Sequence, residues 1–125
     1  MHKVDDWLAK AAEDLAVARL SAANNLWNPT CFHAQQCGEK SLKAVFEAND
    51  MLIPRTHDLD ELLDELETKM DVDPAREAAT VLSAYGVDAR YPGFGADESE
   101  AIAAISLAEL LFGLVSDLLG RPSAP

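Results

Sequence analysis

Cysteine is scarce in this chain, at two of 125 residues, and so are histidine, at three, and glycine and proline, at six each. Cys31 and Cys37 stand six apart in one stretch of helical character, so they point to different faces and are poorly placed for a disulfide. They read as two small thiols in or near the core. Without a Cys-x-x-Cys pair, and with the histidines scattered, no metal site is expected, and no other cofactor either. Apolar runs stay short of the roughly 20 residues that span a bilayer. The opening MHKVDDWLAKAAEDL is charged from the start and lacks the apolar stretch of a secretory signal. The expectation is a cytoplasmic protein with no membrane contact. A serine on a strained, glycine-flanked turn is missing, as is a Walker-type phosphate loop. No segment alternates with period two for long enough to make a strand.

Basic residues are also few, 10 against 22 acidic, for a net charge of −12. Residues 1–55 are nearly balanced, with six basic and seven acidic side chains. Residues 56–125 carry four basic and fifteen acidic ones, so nearly all the excess lies there. Nucleic-acid binding usually leaves a basic footprint, so no direct binding is expected from this acidic surface. Its plain use is to keep the protein soluble.

What is plentiful is apolar residues, 49% of the chain, at helical spacing. One domain, residues 1–125, accounts for the length. A first helix is expected from about Val4 to Asn24, with Leu8, Ala11, Ala12, Leu15, Ala18 and Ala22 on its inner side. Asp5 and Asp6 suit its positive end, and Asn24 and Asn25 end it. Asn28 as N-cap and Pro29 in the first turn open a second helix. Its stripe of Cys31, Ala34, Gly38, Leu42 and Val45 is mostly small, and Gly38 predicts close approach of another helix. Thr56 or Asp58 caps a third helix that carries Leu59, Leu62, Leu63 and Leu66. Asp73-Pro74 opens a fourth, and a loop through residues 90–95 precedes a fifth from about Asp97 to Leu119. That last helix is apolar over more than one stripe, which predicts either the central helix of the bundle or a side covered by a second subunit. The fold class is therefore all-α, an up-and-down bundle of four or five helices.

Three groups of residues can carry chemistry. Gln36, Lys40 and Lys43, at i, i+4 and i+7, share a face of the second helix, with His33 on its N-terminal side. Two lysines and an amide can hold a phosphate or nucleotide. The alternative is a polar helix face with intrahelical pairs, of which Glu39 with Lys43 is one. Arg55, Thr56, His57 and Asp58 cluster at the start of the third helix. His57 can act as a general acid or base oriented by Asp58 or Glu39, or it can tie the loop across the bundle. Arg90 and Tyr91 precede a proline on a rigid loop, where an arginine suits either bidentate phosphate contacts or a structural tie. Trp7 and Trp27 read as core or interface aromatics.

The stretch FHAQQCGEKSLKAVFEAND, then PRTHDLDELLDEL, then ARYPGFG, resembles the HEPN domain (higher eukaryotes and prokaryotes nucleotide-binding), in its small stand-alone prokaryotic form. The matching residues are Phe32, Ala34, Gln35, Gln36, Glu39, Lys40, Leu42, Lys43 and Ala44, then Thr56, His57, Asp58 and Leu59, then Arg90, Tyr91 and Pro92. Cys37 departs from the usual alanine. The resemblance implies an up-and-down bundle that pairs as a homodimer and works beside a small nucleotidyltransferase, in two-gene modules of toxin–antitoxin type. From their chemistry, the candidate nucleotide- or phosphate-binding residues are Gln36, Lys40, Lys43, Arg90 and Tyr91, with Gln35, Glu39, Thr56 and Asp58 as a structural polar cluster. Many relatives are metal-independent ribonucleases with an Arg-x4–6-His motif. Here the first histidine after Arg19 comes fourteen residues on, Arg55 and His57 are two apart, and no histidine follows Arg76, Arg90 or Arg121. The leading expectation is therefore a non-catalytic interaction protein. The alternatives are a ribonuclease using His57 with a non-standard arginine, Arg55 or Arg90, and a stand-alone nucleotide binder.

Overall fold

Leu8, Ala11, Leu15 and Ala18 recur at spacings of three and four, and all four are buried along one side of the first helix. The computed structural model describes residues 3–86, 89 and 91–121. Among these are five α-helices and no strand: α1 (Lys3–Ala23), α2 (Trp27–Ala48), α3 (Leu59–Leu66), α4 (Asp73–Ser83) and α5 (Glu98–Leu118). A 3-10 turn, Ala84–Gly86, follows α4. The bundle is all-α, as expected. Arg19 pairs with Glu109, and Arg121 pairs with Asp5 at 2.7 Å, so α5 runs antiparallel to α1 along its length.

The centre of the bundle is α2, not α5. Twelve α2 residues are buried, and this helix packs against all four others. In α5 the buried stripe is narrow and mostly small, namely Ala101, Ala104, Ala108, Leu111, Val115 and Ser116. Its larger apolar residues Ile102, Leu110 and Leu118 are 46–58% exposed. Small residues on α5 face α2, and Gly38 lies in that contact. A Cβ there would lie 3.1 Å from Leu111, 3.2 Å from Leu59 and 3.5 Å from Leu82, so α5, α3 and α4 converge on one glycine. Of the described helices, α5 is long and apolar enough to cross a membrane by length and composition. A third of that apolar window is buried inside the bundle.

Local signals set the helix ends. Asp97 and Glu100 form a reciprocal capping box that starts α5. Asp58 caps α3, accepting from the backbone N–H groups of Asp60 and Glu61, while the Thr56 hydroxyl accepts from Asp58 N–H at 3.0 Å. Asn25 takes a positive φ of 60° in the tight turn between α1 and α2. The expected Asn28 cap is corrected. Leu26 occupies the N-cap of α2 with no side-chain bond, and Asn28 lies inside the first turn. Its carboxamide instead donates to the Phe94 carbonyl at 3.1 Å and accepts from Ala96 N–H at 2.8 Å. A partner 66 to 68 positions away took the side chain that local pattern assigned to the helix end. That pair of bonds pins the α4–α5 loop against α2, and Phe94 meets Tyr85 edge-on there.

Both cysteines are free and fully buried in α2. Burial pushes the Cys31 thiol up to about 11, helped by the Glu100 and Asp97 carboxylates. Burial likewise pushes Cys37 up to about 12, with a hydrogen bond to Ser41 offsetting part of the rise. Ellman's reagent at pH 8 is therefore expected to find no fast-reacting thiol in the native protein and two after unfolding in urea. The sign of the pH dependence follows. Unfolded thiols ionise near 9.0 while the folded ones stay neutral, so this contribution to stability is whole below pH 9. It is lost as pH rises through about 11 to 12.

Candidate functional site

Carboxylates inside a helical bundle must be paired, and α2 carries one that is 4% exposed, Glu39. The side chain of Lys43, one turn on, reaches it at 2.9 Å and is itself 12% exposed. His57, from the segment before α3, brings Nδ1 to the other Glu39 oxygen at 2.9 Å. Gln35 is fully buried and donates to the His57 carbonyl at 2.8 Å, and Gln36 donates to Gln35 at 2.8 Å. Both amides also lie within 3.5 Å of Glu39. The indole of Trp7 covers the Lys43 ammonium, 6.0 Å from ring centre to nitrogen. The segment before α3 is thus tied to α2 through one buried acid and one buried amide.

A second buried carboxylate, Asp14 of α1, organises the next two cations. His33 Nδ1 lies 2.9 Å from one of its oxygens, and Lys40 pairs with the other. Gln36, Lys40 and Lys43 do lie along one side of α2, but they do not converge on a common point. Lys40 turns toward α1 and Lys43 toward Glu39. An anion placed on this face would compete with both acids for the lysines. Arg90 lies outside the described residues. Tyr91 is 61% exposed in the α4–α5 loop.

The residues that do converge line an open cleft of about 590 Å³ between the start of α3 and the end of α4. Its walls are Arg55, Thr56, His57, Asp58, Asp60, Ser83 and Ala84. Asp58 is occupied with capping α3 and accepts from the Ser83 hydroxyl at 3.0 Å. Ser83 in turn accepts from Leu59 N–H at 2.9 Å. Asp60 accepts from Thr80 at 2.8 Å and from Arg76 at 3.3 Å. Within the cleft His57 is the side chain with an open ring nitrogen. With Nδ1 held by Glu39, Nε2 has no partner among the described residues, and the side chain is 63% exposed. A ring oriented in this way can accept a proton or a hydrogen bond at Nε2. No group of three or more His, Cys, Asp or Glu residues able to hold a metal ion is found among the described residues.

Three members of this arrangement, Asp14, Ser83 and Gly86, lie outside the candidate residues named from the sequence, and Trp7 has a second role there. Asp14 sits in the buried stripe of α1, between Ala11 and Leu15, and an acid inside an apolar stripe is the signal that marks it. Ser83 closes the cleft from α4 with no local pattern to announce it. Gly86 packs its backbone on Gln35, where a Cβ would come within 2.9 Å of the carboxamide. Trp7 was expected in a core or an interface, and it also shields the Lys43 ammonium.

Comparison with known proteins places these features beside a family and three solved structures. The family model described as the HEPN domain matches residues 4–118. The crystal structure of TT1696 from Thermus thermophilus is similar at 31% identity, with a TM-score of 0.85 over 94% of this chain and 98% of that one. ST0689, described as an archaeal HEPN homologue, is 27% identical, with a TM-score of 0.77 over 93% of this chain and 97% of that one. A HEPN domain protein of Thermotoga maritima, TM0613, shares the fold at 24% identity, with a TM-score of 0.79 over 93% and 98% of the two chains. No curated protein matches the chain.

Proposed function

The chain belongs to the HEPN domain family, and on that premise we propose that it is a non-catalytic interaction module of the cytoplasm. It pairs with itself, acts with a small nucleotidyltransferase in a two-gene module of toxin–antitoxin type, and takes a nucleotide as its small ligand. One observation carries the non-catalytic part. Four cationic or titratable groups of the α2 face and the segment before α3, His33, Lys40, Lys43 and His57, turn onto two buried acids, Asp14 and Glu39. Groups used in this way hold the bundle together and leave little free positive charge for an RNA backbone. Self-pairing is supported by Ile102 and Leu110, two turns apart and both exposed on α5.

One geometry favours a second reading, the ribonuclease. His57 and Arg55 line the same cleft, and Glu39 orients His57 as a carboxylate orients a catalytic base. One experiment separates the two. The protein is co-expressed with its neighbouring gene, purified through a tag on that neighbour, and assayed for RNA cleavage in EDTA. The interaction module predicts a stable complex, a dimeric HEPN fraction by light scattering, and no cleavage. Cleavage without metal that disappears in His57→Ala would overturn it in favour of the enzyme.

A further inference from the structure

Of the four arginines among the described residues, three are paired. Arg19 meets Glu109, Arg121 meets Asp5, and Arg76 meets Asp60, Asp64 and Glu67. Arg55 is exposed on the wall of the cleft and has no ion pair or hydrogen bond among the described residues. Two acids line the same cleft, and neither turns to it. Asp58 already accepts from the Asp60 and Glu61 N–H groups and from the Ser83 hydroxyl. Asp60 is engaged by Arg76 and by the Thr80 hydroxyl. Arg55 therefore keeps its charge for the cleft.

The other unused group on this wall belongs to His57, two positions on. The Glu39 carboxylate accepts at Nδ1, so a neutral ring carries its proton there and its lone pair on Nε2. A free guanidinium beside such a nitrogen suits a small anion that can share a proton. A phosphate monoester is one. Near neutrality it exists with and without its last proton, so it meets the imidazole as P–O–H···N or as P–O⁻···H–N. Its remaining oxygens match the planar fork of the guanidinium. The cleft, at about 590 Å³, has room for a ligand of that size. Polymers fit badly. A chain of net charge −12 repels every phosphate of a polynucleotide, whereas a single phosphate group meets that repulsion once. No Phe, Tyr or Trp is among the described residues of the lining, so no such ring is offered for a base to stack on.

We propose that the cleft between the start of α3 and the end of α4 binds the phosphate group of a small phosphomonoester. Arg55 clamps the oxygens, and His57 Nε2 shares a proton with one of them. The inference rests on the nucleotide clause of the proposed function and narrows it. What is recognised is the phosphate and not the base, and the site is not the α2 lysines, which Asp14 and Glu39 hold.

The test is an NMR titration of the full chain, following backbone amides and the long-range ¹H–¹⁵N signals of the histidine rings. The probes are inorganic phosphate, methyl phosphate, AMP and a short oligouridylate without a terminal phosphate. The first three are expected to shift the His57 ring and the amides of residues 55–58 and 83–84, with affinities within about tenfold of one another. The oligouridylate is expected to leave those signals in place. Arg55→Gln, at an exposed site, is expected to weaken all three phosphates at least tenfold, while Arg121→Gln leaves them unchanged. Equal shifts from sodium chloride at matched ionic strength would overturn the proposal, as would phosphate binding that Arg55→Gln does not weaken. So would AMP binding more than about tenfold tighter than inorganic phosphate, since the base would then be read. Binding of inorganic phosphate without methyl phosphate or AMP would make the free ion the ligand and overturn the ester. AMP that shifts the amides around Lys40 and Lys43 and leaves the cleft silent would overturn this site while the nucleotide clause stands. Silence from every phosphate overturns both, and the co-purification result is independent of either.

Discussion

Glu39→Ala is expected to lower folding stability by about 3–5 kcal/mol, the largest effect of any single polar substitution in this bundle. The acid is nearly fully buried and holds four partners from two segments. Removing it leaves the Lys43 ammonium 12% exposed with no counter-charge, which is the costly way to break a buried pair. It also releases His57, and with it the segment that positions the start of α3. Glu39→Gln keeps the shape and one acceptor and is expected to cost less. Lys43→Ala is expected to cost less again, because His57 and the two amides still bond the acid. Urea unfolding followed by tryptophan fluorescence gives all three values, with Trp7 reporting directly on the Lys43 side chain. A loss below 1 kcal/mol for Glu39→Ala would mean that water replaces the acid, and the network would then not be the element that fixes the segment before α3.

This network also marks the limit of what pattern alone reveals. The five helices, the Asp97 start of α5 and the tight approach at Gly38 were legible, because each depends on spacing or on a cap within a few residues. So was the Glu39–Lys43 pair, which needs only i,i+4 geometry. Orientation by Glu39 was one of two options for His57, and the fold selects it over Asp58, which caps α3 instead. The links that were not legible all join distant positions. Asp14 reaches Lys40 across 26 residues, Asn28 reaches Ala96 across 68, and Ser83 reaches Asp58 across 25. Asn28 left the cap that its local pattern offered because the packed bundle supplied a better partner, while Asp14 and Ser83 had no local role to announce them. The place of α5 was half legible for a related reason: of its two expected placements, the fold excludes the central helix and leaves one side of α5 exposed. A high apolar content says that a helix needs cover, but not that its own neighbours supply it. In α5 the alanines went inward and the large side chains outward.

The last expectation concerns that alanine-lined contact and can be tested as a cycle. Leu111→Ala is expected to cost about 2–5 kcal/mol, since Leu111 is fully buried and its removal leaves a cavity between α5 and α2. In the native protein Gly38→Ala gains helix propensity of up to about 1 kcal/mol but meets the Leu111 methyl at 3.1 Å. The two effects offset, and the single variant is expected to fall within about 1 kcal/mol of wild type. In the Leu111→Ala background that methyl is gone, while Leu59 still stands at 3.2 Å on the other side. There Gly38→Ala is expected to stabilise, recovering about 1 kcal/mol, so the double variant should be better than the sum of its parts. Strict additivity across the four proteins would show that Leu59, not Leu111, sets the space at Gly38. The glycine would then be a property of the α2–α3 contact, and the small-residue stripe of α5 would need another cause.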